Sequence, residues 1–414
     1  MPDIKIQQRN FNVTTAASGT QDVTITSFGT VKAAIVYYSG ATGLNAETNS
    51  FNQGMGFSDG TNQSSMASFV NEGETTGDST RSHSTNSFID ILSINQTVTA
   101  SFSVTFITDG IQLTVENQAD VGYLCHLVLI GGADVSNVFV GSKDDLGTGT
   151  GDVAITGVGF EPDLILMTTV GLSTAVPATS VHNIFSLGCA INDGSQTQRV
   201  SMMSSQDNLS APASEVTAYI GNDSITGRAL WAGPGFWDAL LKTFDAGGFT
   251  VTTSASSVNA IVNYLCLKFT GGPNLALFDM EFPTAGNYAE TTPGFEPTFG
   301  LISNVLGPTA RNTSTTGNVG WALTTITDEP KLRTMCAVDE HNQTTTDASN
   351  YMNNALSILA PVGGAFDVVA STWSMDSLGW DFTLTTNPPV NPSLGWALAI
   401  GTKHAIEVAK GPVW

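Results

Sequence analysis

The stretch GDVAITGVGFEPDLILM, residues 151–167, decides the fold. Its first half alternates, Val153-Ala-Ile155-Thr, the period-two pattern of a half-buried strand. Gly159 and Pro162 then punctuate the chain. Glycine allows positive φ, while proline fixes φ at roughly −65° and stops continued pairing. A second apolar strand follows, Leu164-Ile-Leu-Met167. The same phrase occurs twice more, as Asp22-VTITSFGTVKAAIVYY and as Tyr288-AETTPGFEPTFGLIS. Its turn glycines, Gly29, Gly159 and Gly294, lie 130 and 135 residues apart.

Other landmarks recur in the same order. An apolar strand ending in an acidic turn appears as Met55-GFSDG, Leu187-GCAINDG and Trp321-ALTTITDEP. Asp59, Asp193 and Asp328 head those turns, each with an apolar residue seven positions on (Met66, Val200, Met335), which predicts a hairpin. A glycine-led strand closes each copy: Gly110-IQLTV, Gly248-FTVTT and Gly379-WDFTL. An aromatic-led apolar strand follows it: Tyr123-LCHLVLIGG, Tyr264-LCLKFTGG and Trp396-ALAIGTKH. Spacings near 135 in four ordered landmarks predict three tandem copies of one all-β unit.

Each copy is expected to hold seven to nine short strands, the pattern of a β-sandwich or jelly roll. The expected units are 1–135, 136–273 and 274–403, with a tail over 404–414. The copies differ most between the second and third landmarks. Copy one has a Ser/Thr/Asn/Gly-rich stretch from Ser58 to Ser87, read as a loop. Phe236–Phe244 in copy two and Asp347-ASNYMNNALSI in copy three read as short helices. Divergent insertions of this kind ordinarily map to exposed loops.

Composition supports the all-β reading. Charged residues make up only 12 % of the 414, about half the usual share, and Thr, Ser and Asn replace them. The net charge of −22 reflects scarce bases, 14 against 36 acids. Such a surface repels phosphate backbones and anionic membranes, so neither nucleic acid nor membrane is an expected partner. The start, MPDIKIQQRNF, has no apolar signal region, and no apolar run reaches membrane-spanning length. A soluble protein made in a cytoplasm is therefore expected. Cys125 and Cys266 occupy matching apolar strands, too far apart for a disulfide, and read as small buried hydrophobes. Cys189 and Cys336 show no metal-binding spacing.

Motifs for chemistry are missing: the chain has no phosphate-binding loop, nucleophile elbow or HExxH helix. His126 lies in an apolar strand and reads as packed, and Asp339-Glu-His341-Asn reads as a solvated loop. Asp144-Asp145 and Asp152 flank a Gly/Thr loop whose spacing does not match a calcium hand. No catalytic residue, metal ligand or cofactor is expected. The candidate ligand or assembly contacts are aromatic: Trp231, Phe236 and Trp237 in copy two, Trp373 in copy three, and Trp414 at the end. Exposed, they would stack on sugar rings; packed, they would serve core or subunit contacts, the plainer reading. The segment from His404 to Trp414 reads as an assembly arm or a frayed end.

The phrases GDVAITGVGFEPDLILM and PGFEPTFGLI resemble the repeated β-domains of structural proteins in tailed bacteriophages, marine ones especially. The resemblance covers most of copies two and three, and copy one more weakly, because Thr30-Val-Lys32 replaces the GFEP turn there. It implies a non-enzymatic virion component, a capsid decoration or a tail-associated or fibre protein, assembled in the host cytoplasm. It also implies other virion proteins and further copies of the chain as partners, with a trimer natural for a spike. The competing expectation is a receptor- or carbohydrate-binding adhesin that grips host surface glycan through variable loops.

Overall fold

A computed structural model describes residues 3–401, apart from 46, 77, 94–96, 148, 173–177, 207–215, 228–236, 257–259, 273, 283–285, 309, 318, 328–330, 340–347, 355–356, 360–365 and 385–392. Among the described residues every regular element is a strand. The first group comprises β1 (Lys5–Asn12), β2 (Thr20–Thr24), β3 (Val31–Tyr38), β4 (Glu47–Asn49), β5 (Phe51–Ser58) and β6 (Gln63–Val70). It continues with β7 (Ser79–Ser84), β8 (Ile89–Ser93), β9 (Thr97–Ile107), β10 (Gly110–Asn117) and β11 (Leu124–Gly131). The second group comprises β12 (Val135–Lys143), β13 (Gly151–Thr156), β14 (Leu164–Thr169), β15 (Ala178–Val181) and β16 (Asn183–Ile191). After these come β17 (Thr197–Ser205), β18 (Val216–Gly221), β19 (Trp237–Asp245), β20 (Gly248–Ser256) and β21 (Val262–Phe269). The third group comprises β22 (Asn274–Phe282), β23 (Gly286–Glu290), β24 (Phe299–Leu306), β25 (Thr313–Thr316), β26 (Val319–Thr327) and β27 (Lys331–Asp339). It ends with β28 (Ala348–Asn353), β29 (Ser357–Leu359), β30 (Phe366–Met375), β31 (Trp380–Leu384) and β32 (Ser393–Gly401).

Three seven-stranded sheets share one strand order: β1-β11-β3-β5-β6-β7-β15, β12-β21-β14-β16-β17-β18-β25 and β22-β32-β24-β26-β27-β28-β4. Each carries a smaller sheet, β2-β10-β9-β8, β13-β20-β19 or β23-β31-β30-β29. In the first group β3, β5, β6 and β7 form a meander within the large sheet. The chain then crosses to the small sheet for β8, β9 and β10, and returns as β11 between β1 and β3. That connectivity is a two-sheet sandwich rather than a jelly roll, whose successive strands alternate between sheets. The corner from small to large sheet turns at Gly29, Gly159 and Gly294, all with positive φ (90°, 83° and 69°).

The seventh strand of every large sheet comes from another group. β15 pairs with β7, from Ala178↔His83 to Val181↔Thr80. β25 pairs with β18, and β4 pairs with β28 through Asn350↔Thr48. Each lent strand leaves between the first meander strand and the next, so the three loans close a ring: second to first, third to second, first to third. The unpaired backbone of β7, β18 and β28 is thereby covered.

Two kinds of core follow. Each sandwich has its own, such as Val36, Tyr38, Phe102 and Ile111 in the first, Met167, Met202 and Phe249 in the second, and Ile302, Trp380 and Phe382 in the third. The opposite faces of all three large sheets share one cluster, including Ile35, Met55, Phe185, Leu265, Trp321 and Trp396. The central strands are consequently buried along their whole length, as in β11, β14, β16, β24 and β26. All four cysteines are buried and free.

Three expectations need correction. In the segment Phe236–Phe244 read as a helix, the described residues belong instead to strand β19, Trp237–Asp245, paired with β20 from Trp237↔Ser256 to Asp245↔Gly248. Within Asp347-ASNYMNNALSI, Ala348–Asn353 is β28 and Ser357–Leu359 is β29. Hairpin ladders with the neighbouring strands β20, β27 and β30 override the local helix propensity of Ala, Leu, Lys and Met. The stretch Ser58–Ser87 is not a surface loop either. It contains β6 and a fully buried β7, whose hydroxyls lie between sheets and whose edge β15 covers.

The ring closes within one chain, so the purified protein is expected to have the light-scattering mass of a single chain, 43.2 kDa. Deleting residues 46–50 should uncover the β28 edge and produce self-association in the same measurement. The landmark glycines of the closing strands test the sandwich itself. A Cβ at Gly379 would lie 1.8 Å from the carbonyl oxygen of Glu290, across the β23–β31 ladder. Gly379→Ala is expected to lower stability in urea by about 1–3 kcal/mol; an unchanged midpoint would contradict that approach.

Candidate functional site

The seam between the first and second sandwiches holds a cleft with well-defined walls. It begins at the β5–β6 turn. Asp59 Oδ1 accepts the backbone N–H of Thr61 at 2.9 Å and of Asn62 at 2.6 Å. Its Oδ2 accepts the Asn62 amide at 2.9 Å and, from the next sandwich, the N–H of Val140 on β12 at 2.9 Å. One carboxylate therefore fixes both walls of a cleft. Gln63 is held as well: its Oε1 accepts the N–H of Val104 at 2.8 Å, and its Nε2 donates to the Asn86 carbonyl at 2.8 Å. The cavity between the walls measures about 310 Å³ and is lined by Thr61, Asn62, Gln63, Thr85, Asn86, Val140, Gly141 and Ser142. Thr, Asn, Gln and Ser supply its polar groups, and among the described residues no ionised side chain lines it.

Behind Ser142 lies His83, on β7. Its Nε2 donates to Asn263 Oδ1 on β21, and Asn263 Nδ2 donates to the Ser65 carbonyl at 3.3 Å. Ser142 Oγ is 3.5 Å from the same Nε2. Because that nitrogen carries the proton given to Asn263, it offers no lone pair to activate the serine. Burial also pushes the His83 pKa down to about 4, a weak base at neutral pH. The arrangement offers hydrogen bonds rather than nucleophilic chemistry.

His126 belongs to the seam between the third and first sandwiches. Fully buried on β11, it lies 2.6 Å from Asn10 Oδ1 and 3.3 Å from the Thr334 carbonyl, with Tyr37 edge-on at 5.1 Å. Burial, and then the Arg333 charge, lower its pKa to about 3. Around it Tyr37 shares a hydrogen bond with Thr325 at 2.6 Å, and Thr325 donates to Gln8 at 2.6 Å. The seam between the second and third sandwiches uses an ion pair instead, Arg199 with Asp279 at 2.6 Å, beside Ser201 and Ser303 at 2.5 Å. Among the described residues its turn carboxylate, Asp193, bonds only within its own turn, to Ser195 and Thr197. A second depression, of about 380 Å³, lies where the chain passes from β11 to β12. Lys32 there donates to the Val135 carbonyl at 2.6 Å, Lys5 donates to the Ser27 carbonyl, and Asp3 accepts from Ala133 at 3.1 Å. These groups tie the linker down.

The aromatic candidates do not converge. Trp231, Phe236 and Trp414 lie outside the described residues, as do His341 and the tail 404–414. Trp237 begins β19, and its side chain is likewise outside them. Trp373 is no loop residue: it sits on β30, half-buried against the third sandwich's core. The turn acids are structural. Glu161 accepts from Asn192 at 2.8 Å, and Asp163 binds Lys268 at 2.7 Å and the Phe269 N–H at 2.8 Å. Asp145 accepts the Gly147 N–H at 2.5 Å, while Asp152 pairs with Lys242 and accepts from Thr252 at 2.7 Å. Among the described residues no group of three or more His, Cys, Asp or Glu could hold a metal ion. Sequence reasoning missed Gln63, Thr85 and Asn86 because they fall in the stretch read as a loop. Asp59 was visible as a turn residue, but its reach to Val140 has no local signal.

No protein-family model matches the chain, and no curated protein matches it either.

The seam histidines predict a pH dependence. Their folded pKa values, about 4 and about 3, lie below the ordinary 6.5. The unfolded chain therefore binds protons that the folded chain refuses. Their stabilising contribution is complete above pH 6.5 and is lost as pH falls through about 4 for His83 and about 3 for His126. The thermal midpoint should drop between pH 7 and pH 5, and the double variant His83→Gln/His126→Gln should show a shallower drop. Equal slopes would rule the histidines out.

Proposed function

We propose that this chain is a non-enzymatic structural protein of a bacteriophage particle, carried on its surface as a capsid decoration or tail-associated component. The observation that carries the reading is the ring of lent strands around a shared apolar core. It makes a rigid body without disulfides, a property suited to a part assembled in a reducing cytoplasm and then exposed outside it. The threefold association expected between chains is available here within one chain, which leaves other virion proteins as the principal partners. The resemblance of the GFEP phrases supports the same class, and the net charge of −22 suits a part displayed at high density without aggregation.

A second reading, a receptor- or carbohydrate-binding adhesin, is favoured by one observation, the uncharged polar cleft at the first seam. Immunogold labelling of particles from the source, with antibody to this chain, tests the first reading. Label on the head is the result expected of a decoration protein, and label on the tail that of a fibre or adhesin. Particles without label would overturn the virion assignment.

A further inference from the structure

We infer that the cleft between the first and second sandwiches is a binding site for a neutral saccharide, about one or two sugar rings in size. This deepens the adhesin reading and rests on it. Four observations carry it.

First, the cavity, about 310 Å³, falls at the lower end of small-molecule sites. Second, its polar lining is Thr61, Asn62, Gln63, Thr85, Asn86 and Ser142, in a chain of net charge −22. Among the described residues that line it none is a carboxylate or a cation, and the Asp59 carboxylate that ties its walls is taken up by four hydrogen bonds, so the cleft is matched to a ligand without charge. Hydroxyls and amides, which both donate and accept, complement the hydroxyls of a sugar.

Third, the walls are set before any ligand arrives. Asp59 clamps the turn at residues 61–62 to Val140 of the facing wall, and Gln63 is fixed by Val104 and Asn86. Thr61, Thr85 and Asn86 also line the cavity, and the hydrogen bonds that hold its walls use none of their side chains. Such preorganisation lowers the entropic cost of binding. Fourth, the fold does not require an open polar cleft at a seam. At the matching place between the second and third sandwiches, the turn acid bonds, among the described residues, only within its own turn, and Arg199 and Asp279 join the two units as an ion pair.

Among the described residues of the lining none is aromatic, so hydrogen bonds would carry the binding, and affinity should be modest and sensitive to single polar groups. The test uses the full chain and saturation-transfer NMR with glucose, galactose, mannose and N-acetylglucosamine, and with glucuronic acid as the charged comparison. At least one neutral sugar is expected to give transfer, and glucuronic acid much less. Thr85→Val and Asn86→Ala, which keep the Asn86 carbonyl that Gln63 uses, should each weaken that sugar about tenfold, or roughly 1.4 kcal/mol. Ser142→Ala provides an independent change on the facing wall, with an unaltered thermal midpoint as the check on folding. Failure of all four neutral sugars would overturn the inference, and so would binding that survives all three substitutions. Neither result touches the virion reading, which stands or falls on the labelling of particles.

Discussion

The backbone of a strand at a sheet edge must find a partner, and here it finds one in the next sandwich. Each meander ends in a strand, β7, β18 or β28, whose outer N–H and C=O groups would otherwise be free to pair with anything. A three- or four-residue loan from a neighbour meets that demand. Everything else depends on the loans. They bring the inner faces of the large sheets together over one apolar cluster, and they bury both faces of the central strands. They also press serine- and threonine-rich strands into the seams, where hydroxyls bond across units as Ser201 does with Ser303.

The three seams solve the same packing problem with different chemistry. One uses His83, Asn263 and the Asp59 clamp, another an Arg199–Asp279 ion pair, and the third a network around Tyr37, Thr325 and His126. An ion pair or a buried histidine is specific about its partner in a way that apolar contact is not. Three different polar keys therefore favour the correct neighbour at each seam over the other two copies of a common architecture. The cleft at the first seam arises where the key leaves a gap between walls rather than closing it.

Much of the fold was legible because its signals are local. Val153-Ala-Ile155-Thr alternates since one face of β13 meets solvent, and the corner glycines stand where the chain changes sheets with positive φ. Gly110, Gly248 and Gly379 recur because each strand passes a backbone carbonyl too closely for a side chain. Most of what stayed hidden is non-local. Residues 79–84, Ser-Thr-Arg-Ser-His-Ser, carry no apolar signal, and only a neighbour's strand and buried hydroxyl contacts make them a core strand. β19 reads as helix because it holds Ala, Leu and Lys, and the segment around β28 because it holds Ala, Met and Leu; hairpin pairing with β20 and with β27 decides for strand in each. The cleft was invisible because its two walls belong to segments that no spacing rule connects, residues 61–86 and 140–142.

The order of the loans has a consequence for the growing chain on the ribosome. The β7 edge is covered once residues 178–181 emerge, and the β18 edge once residues 313–316 do. The first loan runs the other way: β4, made early at residues 47–49, has no partner until residues 348–353 are synthesised. Throughout that interval the arm must wait unpaired beside a sandwich that is otherwise complete. Its polar sequence, Glu47-Thr-Asn49, suits the wait, since water can solvate what the last sandwich will later bind. Closing the ring is then the slowest contact to find, because it joins positions about three hundred residues apart.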